Sequence, residues 1–127
     1  MNLVDTSGWI EYFFGGPNAA HFAKPIESTS QLLVPTICLY EVFKKINVVG
    51  NEAQALQAVA QMREGQVLEL TESIALSASL ISIKNKLPMA DSMIYASALA
   101  NDATIWTQDI DFKNLPGVKY IKARTKN

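Results

Sequence analysis

The sequence has one cysteine, Cys38, and one histidine, His21, in 127 residues. A single thiol excludes an internal disulfide and suits a reducing compartment. One thiol beside one imidazole also excludes a Cys/His zinc centre, and a lone imidazole offers no acid–base relay. An excess of charge of either sign is missing too: eleven Lys and Arg against twelve Asp and Glu leave a net charge of −1. With no global basic field, a nucleic-acid partner would have to be held locally or through bound cations. Long apolar runs are also lacking. The most apolar long window, 74–83, contains three serines and runs into Lys84 and Lys86, far short of the ~20 residues a membrane span needs. A secretory signal is not legible, because Asp5 interrupts the first apolar residues, and the expectation is a cytoplasmic protein without membrane contact. Neither G-x-G-x-x-G nor G-x-x-x-x-G-K-[ST] occurs, so no phosphate-cradling loop is on offer.

What is present is a composition of 49% hydrophobic and 18% charged residues, which suits one globular domain spanning 1–127. Strands are expected at 2–4, 32–34 (ended by Pro35), 67–70, 104–107 and 118–121. Between them, helical spacing of Trp9, Ile10, Tyr12 and Phe13 predicts a first helix. A second covers 19–27, bent or broken at Pro25. Others cover 37–48, 52–63, a Thr71-capped stretch to about 86, and a Pro88-opened stretch through 100. Trp9, Tyr12 and Phe13 share a helical face, read as core packing with a partner surface as the alternative. Ile74, Leu76, Leu80, Ile81 and Ile83 are placed inside their helix, and Met62, Met89 and Met93 as core filler. Short strands alternating with helices argue for an α/β fold: a parallel sheet covered on both faces. Ligands of such folds sit beyond the carboxyl ends of the strands, where the winding reverses.

Acids stand at such places. Asp5 closes the first strand and Asp109 follows the fourth. Glu41 lies in a helix among apolar residues, and Asp91 lies in a first helical turn, where ionised carboxylates are favoured. Each has an ordinary alternative: Asp5 and Asp91 as helix caps, Glu41 as an ion-pair partner of Lys44 or Lys45, Asp109 as a turn residue. Two carboxylates ~4 Å apart repel by about 4 kcal/mol at an effective dielectric of 20. A cluster therefore survives by protonating or by binding cations, and carboxylates with water prefer Mg²⁺ or Mn²⁺.

Val4-Asp5-Thr6-Ser7, Tyr40-Glu41-Val42, Ala90-Asp91-Ser92-Met93-Ile94-Tyr95-Ala96 and Trp106-Thr107-Gln108-Asp109-Ile110-Asp111-Phe112 resemble, in order and spacing, the acidic motifs of PIN domains. The short length is most similar to the VapC-like toxins of prokaryotic toxin–antitoxin pairs. The resemblance implies a three-layer α/β/α fold with a mostly parallel sheet of four to five short strands. It further implies a metal-dependent endoribonuclease that is the toxin of a type II pair. Asp5, Glu41, Asp91 and Asp109 carry over as catalytic acids that hold one or two Mg²⁺ or Mn²⁺ ions. Those ions would activate water and neutralise charge at the scissile phosphate. Thr6 and Thr107 match positions that support the site by hydrogen bonding, and Asp111 takes a supporting role at most. RNA would be gripped by basic residues such as Lys44, Lys45, Lys84 and Lys86, with five more in the acid-free stretch from Lys113 onward. The implied partners are RNA, a cognate antitoxin whose tail crosses the acidic pocket, and a second copy of the chain as a homodimer.

Rival α/β readings fit less well. A receiver domain needs a phosphoacceptor Asp after the third strand, where Leu70-Thr71 stands. A haloacid-dehalogenase-like site needs Asp two residues after Asp5, where Ser7 stands. The remaining alternative is a PIN-like module that binds RNA or protein without cutting. It predicts a gap in the acidic set, and there is none.

Overall fold

The computed structural model describes residues 1–125. Its first strand, β1 (Asn2–Val4), is the pivot of a five-stranded, wholly parallel sheet ordered β3-β2-β1-β4-β5. Here β2 is Leu32–Pro35, β3 Gln66–Leu68, β4 Thr104–Thr107 and β5 Val118–Tyr120. The central register sets Leu3 against Leu33 on one side and Ile105 on the other. The sheet grows outward from β1 to β2 to β3, then jumps back to place β4 on the opposite flank of β1. The crevice between the carboxyl ends of β1 and β4 is therefore the point where the winding reverses.

Six helices fill the connections: α1 (Thr6–Phe13), α2 (Ala19–Glu27), α3 (Thr36–Val49), α4 (Glu52–Met62), α5 (Glu72–Asn85) and α6 (Met89–Ala100). Right-handed crossovers place the helices of the outward run and those of the return on opposite faces, giving three layers. Asp5 caps α1 by accepting from the Gly8 N–H at 3.0 Å. Gly8 lets α1 seat on the sheet: a Cβ there would lie 2.6 Å from Val4 and 2.7 Å from Phe22. Asn51 and Thr71 cap α4 and α5 with their side chains. The core joins Leu3, Val4, Val34 and Ile105 of the strands to Trp9, Phe22, Val42, Met62, Ile94 and Phe112.

Several expectations need correction. Helix α2 is not broken at Pro25, which lies in its last turn. The proline forgoes the bond to the His21 carbonyl, and with the helix ending two residues later the disruption stays in the last turn. Strand β3 stops at Leu68 rather than Leu70, because its partner β2 ends at Pro35, opposite Leu68. The apolar residues of α5 are not all interior. Ala78 is buried and Ile74 and Ile81 half-buried, whereas Leu76, Leu80 and Ile83 face solvent. Met62 is buried and Met93 half-buried, but Met89, the first residue of α6, is exposed. Trp9 is fully buried, with Phe13 stacked on it at 5.6 Å. Among the described residues no helix is long and apolar enough to cross a membrane.

Candidate metal centre

The site is built outward from the end of β1. Asp5 is 1% exposed, and burial of a carboxylate demands donors. Thr107 Oγ1 donates to its Oδ2 at 2.6 Å, and Ser7 Oγ and the Gly8 N–H donate to its Oδ1 at 2.8 and 3.0 Å. Burial dominates all the same: the Asp5 carboxyl is pushed up to about 6, against the lowering effect of these three donors, with a smaller push from the Asp109 charge.

The same hydroxyls hold the turn after β4. Thr107 Oγ1 accepts from the Asp109 N–H at 2.9 Å, and Ser7 Oγ accepts from the Gln108 N–H at 3.1 Å. Asp109 then caps a short 3₁₀ turn, Ile110–Phe112, by accepting from the Asp111 N–H at 2.9 Å. Phe112, fully buried, anchors that turn in the core. Asp91 arrives from the opposite side, in the first turn of α6.

Asp91, Asp109 and Asp111 each offer a carboxylate oxygen, and the three lie within 4.8 Å of one another. Asp91 is pushed up to about 7, first by burial and then by the charges of Asp109, Asp5, Glu41 and Asp111. Glu41, half-buried on α3, accepts from Thr6 Oγ1 at 2.5 Å. The fold thus brings Asp5, Glu41, Asp91 and Asp109 to one sheet edge. The tightest group, however, contains Asp111, which the family resemblance places in a supporting role at most, and neither Asp5 nor Glu41. Thr6 bonds Glu41, and Thr107 bonds both Asp5 and the Asp109 backbone.

Ser7, which stands in the first acidic motif, carries no role in the sequence reading, yet it bonds both Asp5 and the Gln108 N–H. Its signal was the pair of hydroxyl residues directly after a strand-ending aspartate. Cys38 lies buried below the acids, with Sγ 3.9 Å from the Val4 carbonyl. Burial, with the Asp5 charge behind it, pushes its thiol up, so it supplies neither a thiolate ligand nor a nucleophile.

The cations are spread over the surface, and Lys44 lies over the Tyr40 ring at 5.8 Å. Lys44 and Lys45 are exposed and line a cavity of 350 Å³ together with Thr6, Tyr40, Glu41 and Val48. Lys84 and Lys86 are exposed at the end of α5. Further along, Lys119 lies over the Trp106 ring at 4.4 Å and Lys113 over Tyr120 at 5.8 Å. Arg124 is committed to hydrogen bonds within the fold, and Lys126 lies outside the described residues. His21 is half-buried against Trp106, with ring centroids 5.1 Å apart. Burial and then Lys24 and Lys119 lower its pKa, keeping it neutral near pH 7.

These carboxylates have the chemistry of a hard-cation site. They are crowded oxygen donors, and burial penalises Asp5 and Asp91 for ionising without a counter-charge.

Comparison with known proteins follows the same line. The PIN domain family model matches residues 3–118. Among curated proteins none matches the sequence. Among solved structures, a toxin–antitoxin complex from Klebsiella pneumoniae superposes with a TM-score of 0.78 at 22% identity, covering 94% of this chain and 96% of that one. The Mycobacterium tuberculosis toxin VapC20, described as cleaving the sarcin–ricin loop, gives 0.78 at 16% identity, with 98% and 100% covered. VapBC2 from Rickettsia felis, bound to a promoter DNA fragment, gives 0.74 at 12% identity, with 97% and 98% covered. At such identities the likeness is one of fold.

Proposed function

The chain belongs to the PIN-domain family, and on that premise we propose that it is a metal-dependent endoribonuclease, the toxin of a type II toxin–antitoxin pair. The observation that carries this reading is the meeting of Asp91, Asp109 and Asp111 within 4.8 Å, above a buried Asp5. Carboxylates so placed are poised for a divalent cation. A bound Mg²⁺ or Mn²⁺ would supply an acidified water and neutralise charge at the scissile phosphate. Asp91, Asp109 and Asp111 are the groups that would hold it, with Glu41 and Asp5 completing the negative wall. Thr107 and Ser7 keep Asp5 and the Asp109 turn in fixed relation. Thr6 restrains the Glu41 carboxylate. Lys44 and Lys45, sharing a cavity with Glu41, bind flanking phosphates and counter the repulsion between an acidic site and an anionic substrate.

The partner proteins follow from the same reading. The structural neighbours from Rickettsia and Klebsiella are toxin–antitoxin complexes. This chain carries a groove of 540 Å³ between α3 and α4, lined by Leu39, Tyr40, Phe43, Leu56, Val59 and Arg63 among others. That groove suits an amphipathic antitoxin segment. The exposed Leu76, Leu80 and Ile83 stripe on α5 supports self-association into a homodimer.

The deciding experiment is cleavage of a mixture of structured RNAs by the purified chain, with EDTA and then with excess Mg²⁺ or Mn²⁺. Cleavage that stops with chelator and returns with metal is expected. RNA or protein binding with no cleavage in any metal would make the chain a binding module instead.

A further inference from the structure

Asn18, in the connection between α1 and α2, is only 1% exposed although it is polar and precedes a helix it does not cap with its side chain. A buried amide persists when its groups are partnered, and here they are. Its backbone N–H donates to Glu11 Oε2 at 2.7 Å. Its Nδ2 donates to Gln108 Oε1 and to the Lys122 carbonyl, both at 3.0 Å. Its Oδ1 accepts from Arg124 Nε at 2.9 Å, while Arg124 Nη2 donates to the Pro17 carbonyl at 2.6 Å. Gln108 Nε2 reaches Glu11 Oε1 at 3.4 Å, closing a ring of side chains. The Glu11 carboxylate folds over Gly16, where a Cβ would displace it.

Gln108 is the residue through which this network meets the acids. Its N–H donates to Ser7 Oγ, which donates to Asp5, and the next residue is Asp109. We propose that Asn18 is a positioning residue for the metal centre: clamped by Arg124 of the carboxyl-terminal segment, it fixes Gln108 and so the turn that carries Asp109 and Asp111. The proposal rests on the ribonuclease reading for its catalytic consequence, but its structural claim needs neither RNA nor metal. It makes the segment after β5 part of the site's scaffold, 106 residues in sequence from the amide it secures.

The test compares Asn18→Ala, Arg124→Ala and Lys122→Ala with the wild-type chain. Lys122→Ala removes the same charge from the same segment but keeps the carbonyl that Asn18 uses. In metal-free protein, amide exchange at Gln108 and Asp109 should accelerate about tenfold in Asn18→Ala and a few-fold in Arg124→Ala, with β1 amides unmoved. With Mn²⁺ and RNA, kcat should fall about tenfold in Asn18→Ala with KM within about twofold, because the loss is one of alignment. Lys122→Ala should leave exchange at Gln108 and Asp109 at the wild-type rate. If Asn18→Ala does not fold, Arg124→Ala decides, since that side chain is exposed. The proposal is overturned if Asn18→Ala and Arg124→Ala exchange and turn over like the wild type, or if Lys122→Ala reproduces the effects of Arg124→Ala. A wild-type chain that cuts no RNA would defeat the ribonuclease reading alone, and the exchange measurement would still decide the role of Asn18.

Discussion

Two neighbouring sets of carboxylates are treated in opposite ways by this fold. Asp5 is enclosed and receives three protein donors at 2.6–3.0 Å. The outer group, Asp91, Asp109 and Asp111, is more open, and its carboxylates face one another. Asp109 accepts from a backbone N–H and Asp111 is exposed. For Asp91, burial and four neighbouring acids push in the same direction, and no side-chain hydrogen bond among the described residues opposes them. Lone pairs spent on protein hydrogen bonds define a scaffold, and lone pairs left unspent are available to a cation. The difference distinguishes a carboxylate that organises the site from carboxylates that would bind.

The sharpest way to break this distinction is to neutralise the outer group. Asp91→Asn or Asp109→Asn should reduce metal-dependent cleavage by roughly 10³-fold, the scale of losing a principal charge-stabilising group. The metal-free Asp91→Asn protein should be more stable than wild type, by roughly 1 kcal/mol once solvent screening is allowed for. Activity assays and melting curves on the same preparations check both.

Breaking the inner set should give the reverse pattern. Thr107→Val removes a donor to Asp5 and an acceptor for the Asp109 N–H. A loss of about 2–3 kcal/mol of stability is expected, together with a further rise of the Asp5 pKa, followed by NMR titration. Thr107→Ser should restore both.

A smaller effect sharpens the comparison through pH. Both Asp5, at about 6, and Asp91, at about 7, lie above the ordinary value of 3.8. Between those limits the folded chain binds more protons than the unfolded chain, so metal-free stability falls as pH rises and levels off above about 7. Denaturation in urea from pH 5 to pH 8 should show this decline in the wild type and a shallower one in Asp91→Asn. The mildest change is expected outside both sets. Lys44→Ala with Lys45→Ala should weaken RNA binding and reduce the salt slope by about two, with single-turnover cleavage at saturation nearly unchanged.

The parallel, helix-covered sheet and the meeting of Asp5 with Asp109 were legible because short strands alternate with helices, and acids that end strands fall at the carboxyl edge of such a sheet. The place of Asp111 was not legible. Which acid of the Asp109-x-Asp111 pair points inward depends on a 3₁₀ turn, and that turn is set by Phe112 entering the core. The exposed side of α5 escaped detection because the helix is apolar on both flanks, so periodicity could not say which flank meets α6. Asn18 carried no local signal at all, since its partners Gln108 and Arg124 are 90 and 106 residues away.

The claim that the outer group, through Asp91, exchanges a proton for a cation is open to one direct measurement. Calorimetry of Mn²⁺ binding, in buffers of different ionisation enthalpy, counts the protons released on binding. With Asp91 at about 7, binding near pH 6 should release about one proton, and binding near pH 8 close to none. Asp91→Asn should abolish the release along with most of the affinity. Binding of equal strength and equal proton count at both pH values, or no binding at all, would contradict the account.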